Sequence, residues 1–393
     1  MSNLIPLSVY IHIPFCIRKC LYCDFLSYPA SDNEKHSYIS ALVSEIEQQS
    51  RFYDSHSIIS VFIGGGTPSV LDASAIETIL CKLKTCFHIE NKPEITIEVN
   101  PGTVTEEKLA SYLRSGINRL SIGLQSADDE ELKILGRIHN YAAFCDTYEL
   151  ARKAGFKNIN VDLMSAIPGQ TADSYRATLE KILEYGPEHI SAYSLILEEG
   201  TWFYENRDKL ELLTEDEDRL LYEMTEKMLS AQGYHRYEIS NYAKNGYECI
   251  HNKVYWQRGD YVGFGLGAAS MIGDVRWNNT HEINKYQMLL NEDDILPYEN
   301  NMLSNKCNTL LHENKHCLSK EEQMEEFMFL GLRLIKGVKK DDFMEKFGVP
   351  IEDVYGEVIE KLQKDGLVTV DDSIRLTPYG IDISNYVMAQ FLF

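Results

Sequence analysis

The sequence predicts an α/β protein, a partial (βα)6 TIM-type barrel followed by a smaller C-terminal winged-helix-like α+β domain. Three observations predict it. Over the first two hundred residues short β-type runs alternate with segments of helical period, which argues for parallel strands joined by helical crossovers. From about Thr201 that alternation stops. The last seventy-odd residues read helix, helix, helix, hairpin, the outline of a winged helix.

Taken in order, Ser8–Ile13 is the first strand, followed by a cysteine loop and a helix from about Glu34 to Tyr53. Ile58–Ile63 is the second strand, ended by Gly64-Gly65-Gly66, with a helix from about Ala73 to Phe87. Glu94–Val99 is the third, stopped by Asn100-Pro101-Gly102. Thr105 then caps a helix, its hydroxyl able to satisfy an orphan backbone amide. Arg119–Gly123, Ile159–Leu163 and His189–Ser194 follow as strands with helical sequence between them. An open doubly wound sheet is the alternative to a barrel. Beyond the barrel (residues 1–200), Glu215–Gln232 is one long helix and Gly233–Met271, rich in Gly and Tyr, reads as loops and short strands. These make a barrel extension over 201–290, and the polar stretch 291–317 reads as a linker. In 318–393, Ser319–Ile335, Lys340–Phe347 and Ile351–Lys364 are helical, and Leu367–Val370 with Ile374–Leu376 flank Asp371-Asp372 as the hairpin.

The 393 residues suffice for two or three units at ~150 residues each, and 44% apolar with 25% charged residues is the balance of an ordinary globular chain. No apolar run approaches the ~18 residues of a membrane span. Met1-Ser2-Asn3-Leu4 lacks the basic and apolar regions of a secretory signal. Nine cysteines, an odd count without dense spacing, fit a reduced cytoplasmic setting with thiols free for metal. With Lys+Arg 38 against Asp+Glu 60 the net charge is −22, which argues against a general nucleic-acid binder. The C-terminal unit agrees: residues 318–393 hold nine Lys/Arg and fifteen Asp/Glu, a balance of −6, where a DNA-reading module needs a basic stripe.

The motif with the most chemistry is Cys16-Ile-Arg-Lys-Cys20-Leu-Tyr-Cys23. Three thiolates on one short loop after a strand can close around one metal centre. Iron–sulfur clusters are held by cysteine thiolates, usually four, so three would leave one iron open to a substrate or cofactor. Structural zinc is the alternative. It wants four ligands, typically two separated pairs, and Cys81 and Cys86 fall within a helical segment, leaving His12 or Asp24 to complete such a site.

This C-x3-C-x2-C loop, with Tyr22 before its last cysteine, resembles the radical S-adenosylmethionine superfamily. The resemblance implies a 4Fe-4S cluster on Cys16, Cys20 and Cys23, S-adenosylmethionine bound to the open iron, and a partial α/β barrel.

Other motifs fall at strand ends, where a barrel places its site. Gly64-Gly65-Gly66-Thr67-Pro68 follows the second strand, either as a turn or as backbone that approaches a ligand closely. Glu98 ends the third strand and could accept hydrogen bonds from ribose hydroxyls. Gln125 follows the fourth, Arg137 stands soon after with a charge suited to a carboxylate, and Asp162 lies in the fifth. Singly, each is more often a satisfied structural group; jointly they favour one convergent ligand site.

GGGTPS, EVNP, RLSIGLQS, LGRIHN and DLMSAIPGQT narrow the resemblance to the anaerobic coproporphyrinogen oxidase family, over roughly residues 8–290. Carried over by motif, the cofactor contacts are Tyr10, Gly65, Gly66, Thr67, Glu98, Gln125, Arg137 and Asp162, with Ile196 and Ala269 further along. The oxidase branch, which decarboxylates two propionates of a porphyrinogen, carries another cysteine two residues after the third cluster ligand; here that residue is Phe25. The oxidase also has a long N-terminal extension, whereas this chain reaches its first strand by Ser8. Both features are similar instead to the HemW-type haem chaperones, as is His251-Asn252-Lys253-Val254-Tyr255-Trp256. That branch implies binding of haem, with His251 as a candidate axial ligand, and delivery to apo-haemoproteins. An ordinary hydrogen-bonded histidine beside core aromatics is the other reading of His251. An oxygen-independent porphyrinogen oxidase and an iron–sulfur regulator are the competing functions.

Overall fold

The computed structural model describes residues 4–291 and 310–393. Six βα units open the chain: β1 (Ile5–Ile13), α1 (Asp32–Ser50), β2 (His56–Gly65), α2 (Ala73–Cys86), β3 (His88–Val99), α3 (Glu106–Arg114), β4 (Arg119–Gln125), α4 (Asp129–Ile134), α5 (Tyr141–Ala154), β5 (Ile159–Ser165), α6 (Ala172–Tyr185) and β6 (His189–Ser194). Next come α7 (Trp202–Glu205), α8 (Glu215–Ala231), β7 (His235–Arg236), β8 (Asn241–Ala243), α9 (Ile250–Trp256), β9 (Tyr261–Phe264), β10 (Ala269–Ile272), β11 (Val275–Asn279), α10 (Ile283–Asn291) and β12 (His312–Cys317). The remainder is α11 (Lys320–Gly331), β13 (Val338–Lys339), α12 (Lys340–Phe347), α13 (Ile351–Lys364), β14 (Val368–Val370), β15 (Ser373–Leu376), α14 (Pro378–Asp382) and α15 (Ser384–Ala389).

Strands β1 to β6 lie side by side in chain order and all run parallel. A doubly wound sheet reverses its strand order part-way; this one does not, so it is a partial barrel. The antiparallel pair β8–β7 extends it beyond β6, and β9 to β12 extend it beyond β1. Thr105 caps α3, accepting from Lys108 N at 3.2 Å.

Strand periodicity divides the sheet into two faces. Val9, Ile11, Val61, Ile63, Ile95, Ile97, Leu120, Ile122 and Val161 join the crossover helices in one apolar core. The opposite, inner face is unusually polar. Pairing registers set Ser8 beside Ser60 and Glu94, Tyr10 beside Phe62, Thr96 and Arg119, and Glu98 beside Ser121, Asn160 and His189. A second core, including Met328, Phe343, Phe347, Ile359, Leu362, Ile374 and Val387, belongs to the C-terminal segment, where β13, β15 and β14 form a three-stranded sheet.

Two sequence expectations are corrected. The 233–271 stretch contains a helix, α9, as well as short strands, and His312–Cys317 of the expected linker is a strand paired with β11. Residues 292–309 of that linker and Met1 to Asn3 lie outside the described residues. Among the described residues no helix is long and apolar enough to cross a membrane.

Candidate functional site at the barrel mouth

The cysteine loop is fastened at both ends. Cys16 N donates to Tyr28 O (3.1 Å) and Tyr28 N to Pro14 O (2.9 Å), so the loop leaves and rejoins the end of β1. Thr67 N donates to Phe15 O (2.7 Å) and Gly66 N to Ile13 O (2.8 Å), locking the glycine turn after β2 against its base. These contacts explain the glycines. A Cβ on Gly66 would sit 2.6 Å from Phe15 O, and one on Gly65, whose φ is +110°, would sit 2.5 Å from the His12 ring. Expected either as a turn or as backbone approaching a ligand, the glycines are needed by the protein's own backbone and by His12. The far side of the loop rests on the turn after α4, with Leu21 N donating to Leu135 O (3.1 Å) and Arg18 Nη2 to Gly136 O (2.8 Å).

One cavity at the C-terminal ends of β1 to β5 is lined by Cys16, Cys20, Tyr22, Cys23, Gly65, Gly66, Thr67, Glu98, Gln125, Arg137 and Asp162. Eleven residues singled out from six separate segments thus converge. All three cysteines are free thiols. Burial pushes the thiols of Cys16 and Cys23 upward. Arg137 is clamped beside them: Nη2 donates to Gly123 O (2.6 Å) and Asn100 Oδ1 (2.8 Å), and Nη1 reaches Cys20 Sγ at 3.5 Å. Its Nε is buried without a partner among the described residues.

Two carboxyls face each other across the mouth. Glu98 Oε2 accepts from Gly65 N (3.1 Å). Burial first, then the like charge of Asp162, push it up to about 8. Asp162 accepts from Asn160 Nδ2 (2.7 Å) and Ser121 Oγ (3.3 Å), and burial raises it as well. Gln125 holds a φ of 75° at the end of β4, beside a register shift between Gly123 and Gln125. A left-handed non-glycine costs on the order of 1 kcal/mol or more and clusters at functional sites.

Four expected contacts do not line this cavity. Tyr10 lies below it on the inner face, its hydroxyl 3.1 Å from His12 Nδ1 and its ring stacked on Phe62. Ile196 is 69% exposed on the loop after β6. Ala269 is exposed at the start of β10. His251 sits inside the barrel, 1% exposed, with Nδ1 3.0 Å from Ser60 Oγ and Nε2 2.9 Å from Tyr255 OH. Both ring nitrogens are engaged by protein hydroxyls, as an ordinary hydrogen-bonded histidine beside core aromatics requires. The Glu94 carboxylate explains the placement. It accepts from Ile250 N (3.0 Å) and His251 N (3.1 Å), capping the first turn of α9 from β3.

Of the two residues that could complete a zinc site, His12 is engaged by the protein itself. His12 spends its nitrogens on Tyr10 OH and on Leu26 O (2.9 Å). Among the described residues no three His, Cys, Asp or Glu side chains close on a point as a single ion requires. Thiols that each hold a different iron of a cluster need not converge so tightly.

Sequence reasoning missed Asn100 and Gly123. Asn100 ties Thr67 (Nδ2 to Oγ1, 2.8 Å) to Arg137, and a Cβ on Gly123 would crowd Asn100, Arg137 and Gln125 at 3.1–3.3 Å. The signal for Asn100 was its place two residues after Glu98, directly past a strand end.

Comparison with known proteins agrees with this architecture. The model of the radical SAM superfamily matches residues 10–182, and that of the HemN C-terminal domain matches 318–383. A solved structure of coproporphyrinogen III oxidase (HemN) from Escherichia coli, a radical SAM enzyme, superposes with a TM-score of 0.83 at 24% identity, covering 99% of this chain and 90% of that one. That likeness concerns the fold. The chain is 36% identical to the heme chaperone HemW of Lactococcus lactis, over 98% of this chain and 97% of that protein. It is 35% identical to the heme chaperone HemW of Bacillus subtilis, over 98% and 99%. With such relatives matched along almost their whole length, the chain belongs to the HemW family of the radical SAM superfamily.

Proposed function

We propose that this protein is a haem chaperone: it binds haem and passes it to apo-haemoproteins, on a scaffold carrying a 4Fe-4S cluster and S-adenosylmethionine, without coproporphyrinogen oxidase activity. The observation that carries the reading is end-to-end similarity to relatives named heme chaperones, joined to Phe25 where the oxidase branch has a cysteine.

The cavity fits the cluster and its cofactor on chemical grounds. Cys16, Cys20 and Cys23 supply soft thiolate donors, three where a closed cluster takes four. Arg137, whose buried Nε has no partner among the described residues, places positive charge beside Cys20. Glu98 and Asp162 offer acceptors for hydroxyl and amino groups, and the backbone of Gly65 and Gly66 forms a wall without side chains. When bound, the cluster supplies an iron open to the amino and carboxylate groups of S-adenosylmethionine.

The chain's own residues then do the positioning. Asn100 hydrogen-bonds both Thr67 and Arg137 and so ties them together at the cavity wall. Asn160 and Ser121 orient the Asp162 carboxylate from the inner face.

The test is an assay of coproporphyrinogen decarboxylation alongside haem titration, on one anaerobically reconstituted sample. Stoichiometric haem binding without turnover is expected. Multiple-turnover decarboxylation would restore the oxidase reading despite Phe25.

A further inference from the structure

A second cavity, of about 510 Å³, lies away from the barrel mouth, where the end of α9 meets α11, β13 and β15. Its walls are mixed in a specific way. Trp256 and Phe327 contribute aromatic surface, and Lys336, Lys339 and Arg375 contribute cations, against one lining carboxylate, Asp342.

Three features separate this cavity from a packing defect. Neither Lys336 nor Lys339 has a carboxylate partner among the described residues, whereas Arg375 pairs with Asp371. The guanidinium of Arg333 lies 4.3 Å from the centroid of the Trp256 ring, fixing the indole plane. The Trp256 Nε1 is buried with no hydrogen-bond partner among the described residues. Buried donors are normally paired. Two unpaired lysines at one mouth are also unexpected in a chain of net charge −22, so the local charge runs against the global one.

We propose that this cavity binds haem, resting on the chaperone reading above: the macrocycle lies against Trp256 and Phe327, and its propionates pair with Lys336 and Lys339. The volume falls within the ~300–1,000 Å³ of small-molecule sites, aromatic faces suit a flat conjugated ring, and ammonium groups suit carboxylates. Among the described residues no His, Met or Cys lines the cavity. The site therefore grips the ligand by its face and its acids and offers the iron none of the usual axial ligands, which suits a carrier that must release its cargo. The backbone links the site to the barrel, since Ile335 N donates to Tyr237 O at 3.0 Å and Leu334 bridges to Glu238.

The experiment titrates the full reconstituted chain with haem, iron-free protoporphyrin and haem dimethyl ester, in wild type and in the pair K336E/K339E. Both lysines are exposed, so the variant should keep the wild-type melting point and iron content; K336A/K339A, adding no charge, should show a smaller loss in the same direction. The expected result is at least tenfold weaker binding of haem and of protoporphyrin by K336E/K339E, with protoporphyrin matching haem in the wild type and the ester insensitive to the substitutions. Wild-type haem affinity in K336E/K339E, or failure of protoporphyrin to bind wild type, would overturn the site while leaving the chaperone reading intact. A wild-type protein that binds no haem would overturn both.

Discussion

Arg137 places Nη1 3.5 Å from the sulfur of Cys20, and its other terminal nitrogen is held by Asn100 and Gly123. A cation in this position stabilises negative charge on a cluster held by that sulfur. Replacing Arg137 with Met should lower the cluster's reduction potential, on the order of tens of millivolts since hydrogen bonds to sulfur and net charge set it, and should speed iron loss to a chelator. Anaerobic redox titration followed by electron paramagnetic resonance checks this; an unchanged potential would mean that the guanidinium does not act on the cluster.

Glu98 and Asp162 should govern cofactor affinity rather than cluster assembly. Each hydrogen bond to a charged group is worth ~1.5–3 kcal/mol, so D162N, and E98Q measured at pH 9, should weaken S-adenosylmethionine binding roughly ten- to a hundredfold with iron content unchanged. Because Glu98 sits at about 8, it is largely protonated at pH 7 and becomes a full acceptor only as pH rises. Wild-type affinity should therefore increase from pH 7 to 9 relative to E98Q, as read by calorimetry. Equal affinities in both variants would place the cofactor elsewhere.

His251 should prove structural. Its ring satisfies Ser60 and Tyr255 in the barrel interior, and an unsatisfied buried partner costs about 1–3 kcal/mol. H251A should lower the unfolding free energy by that amount and leave the haem absorption bands unchanged. A shift in those bands at wild-type stability would make the imidazole a ligand after all.

Acid should expose the same histidine. Burial first, then Arg119, bring His251 down to about 3; burial first, then Arg137, bring His139 down to about 4. Both stay neutral in the fold while the unfolded chain takes up protons below ~6.5. Their contribution is thus complete above that pH and is lost as pH falls toward 4. At pH 5 each accounts for roughly 2 kcal/mol of lost stability. Glu45 and Glu98, raised by burial, slope the opposite way, so the comparison is made against H251Q. The stability difference between wild type and H251Q should shrink between pH 7 and 5 in denaturant titrations; a constant difference would refute the linkage.

The fold was legible where local pattern and global structure agree. The apolar alternation of Val9, Ile11, Val61 and Ile63 is what a strand facing helices requires, and Thr105 caps its helix as read. The failures have a common cause in distant partners. Helix α9 is only seven residues long and takes its cap from Glu94, over 150 positions earlier. Strand β12 is a polar edge strand, His-Glu-Asn-Lys-His-Cys, without an apolar face to announce it. The site was legible as a list of strand ends. The arrangement was not: that Arg137 belongs to Cys20, and His251 to Ser60, depends on which strands are neighbours.

Haem transfer tests the central claim most directly. Anaerobically reconstituted wild-type protein is loaded with one equivalent of haem, separated from free ligand, and mixed with an apo-haemoprotein while the acceptor's absorption bands are followed. The account predicts that the acceptor becomes holo-protein and the donor loses its haem stoichiometrically. A donor that keeps its haem, or an acceptor that fills no faster than from free haem, would contradict it.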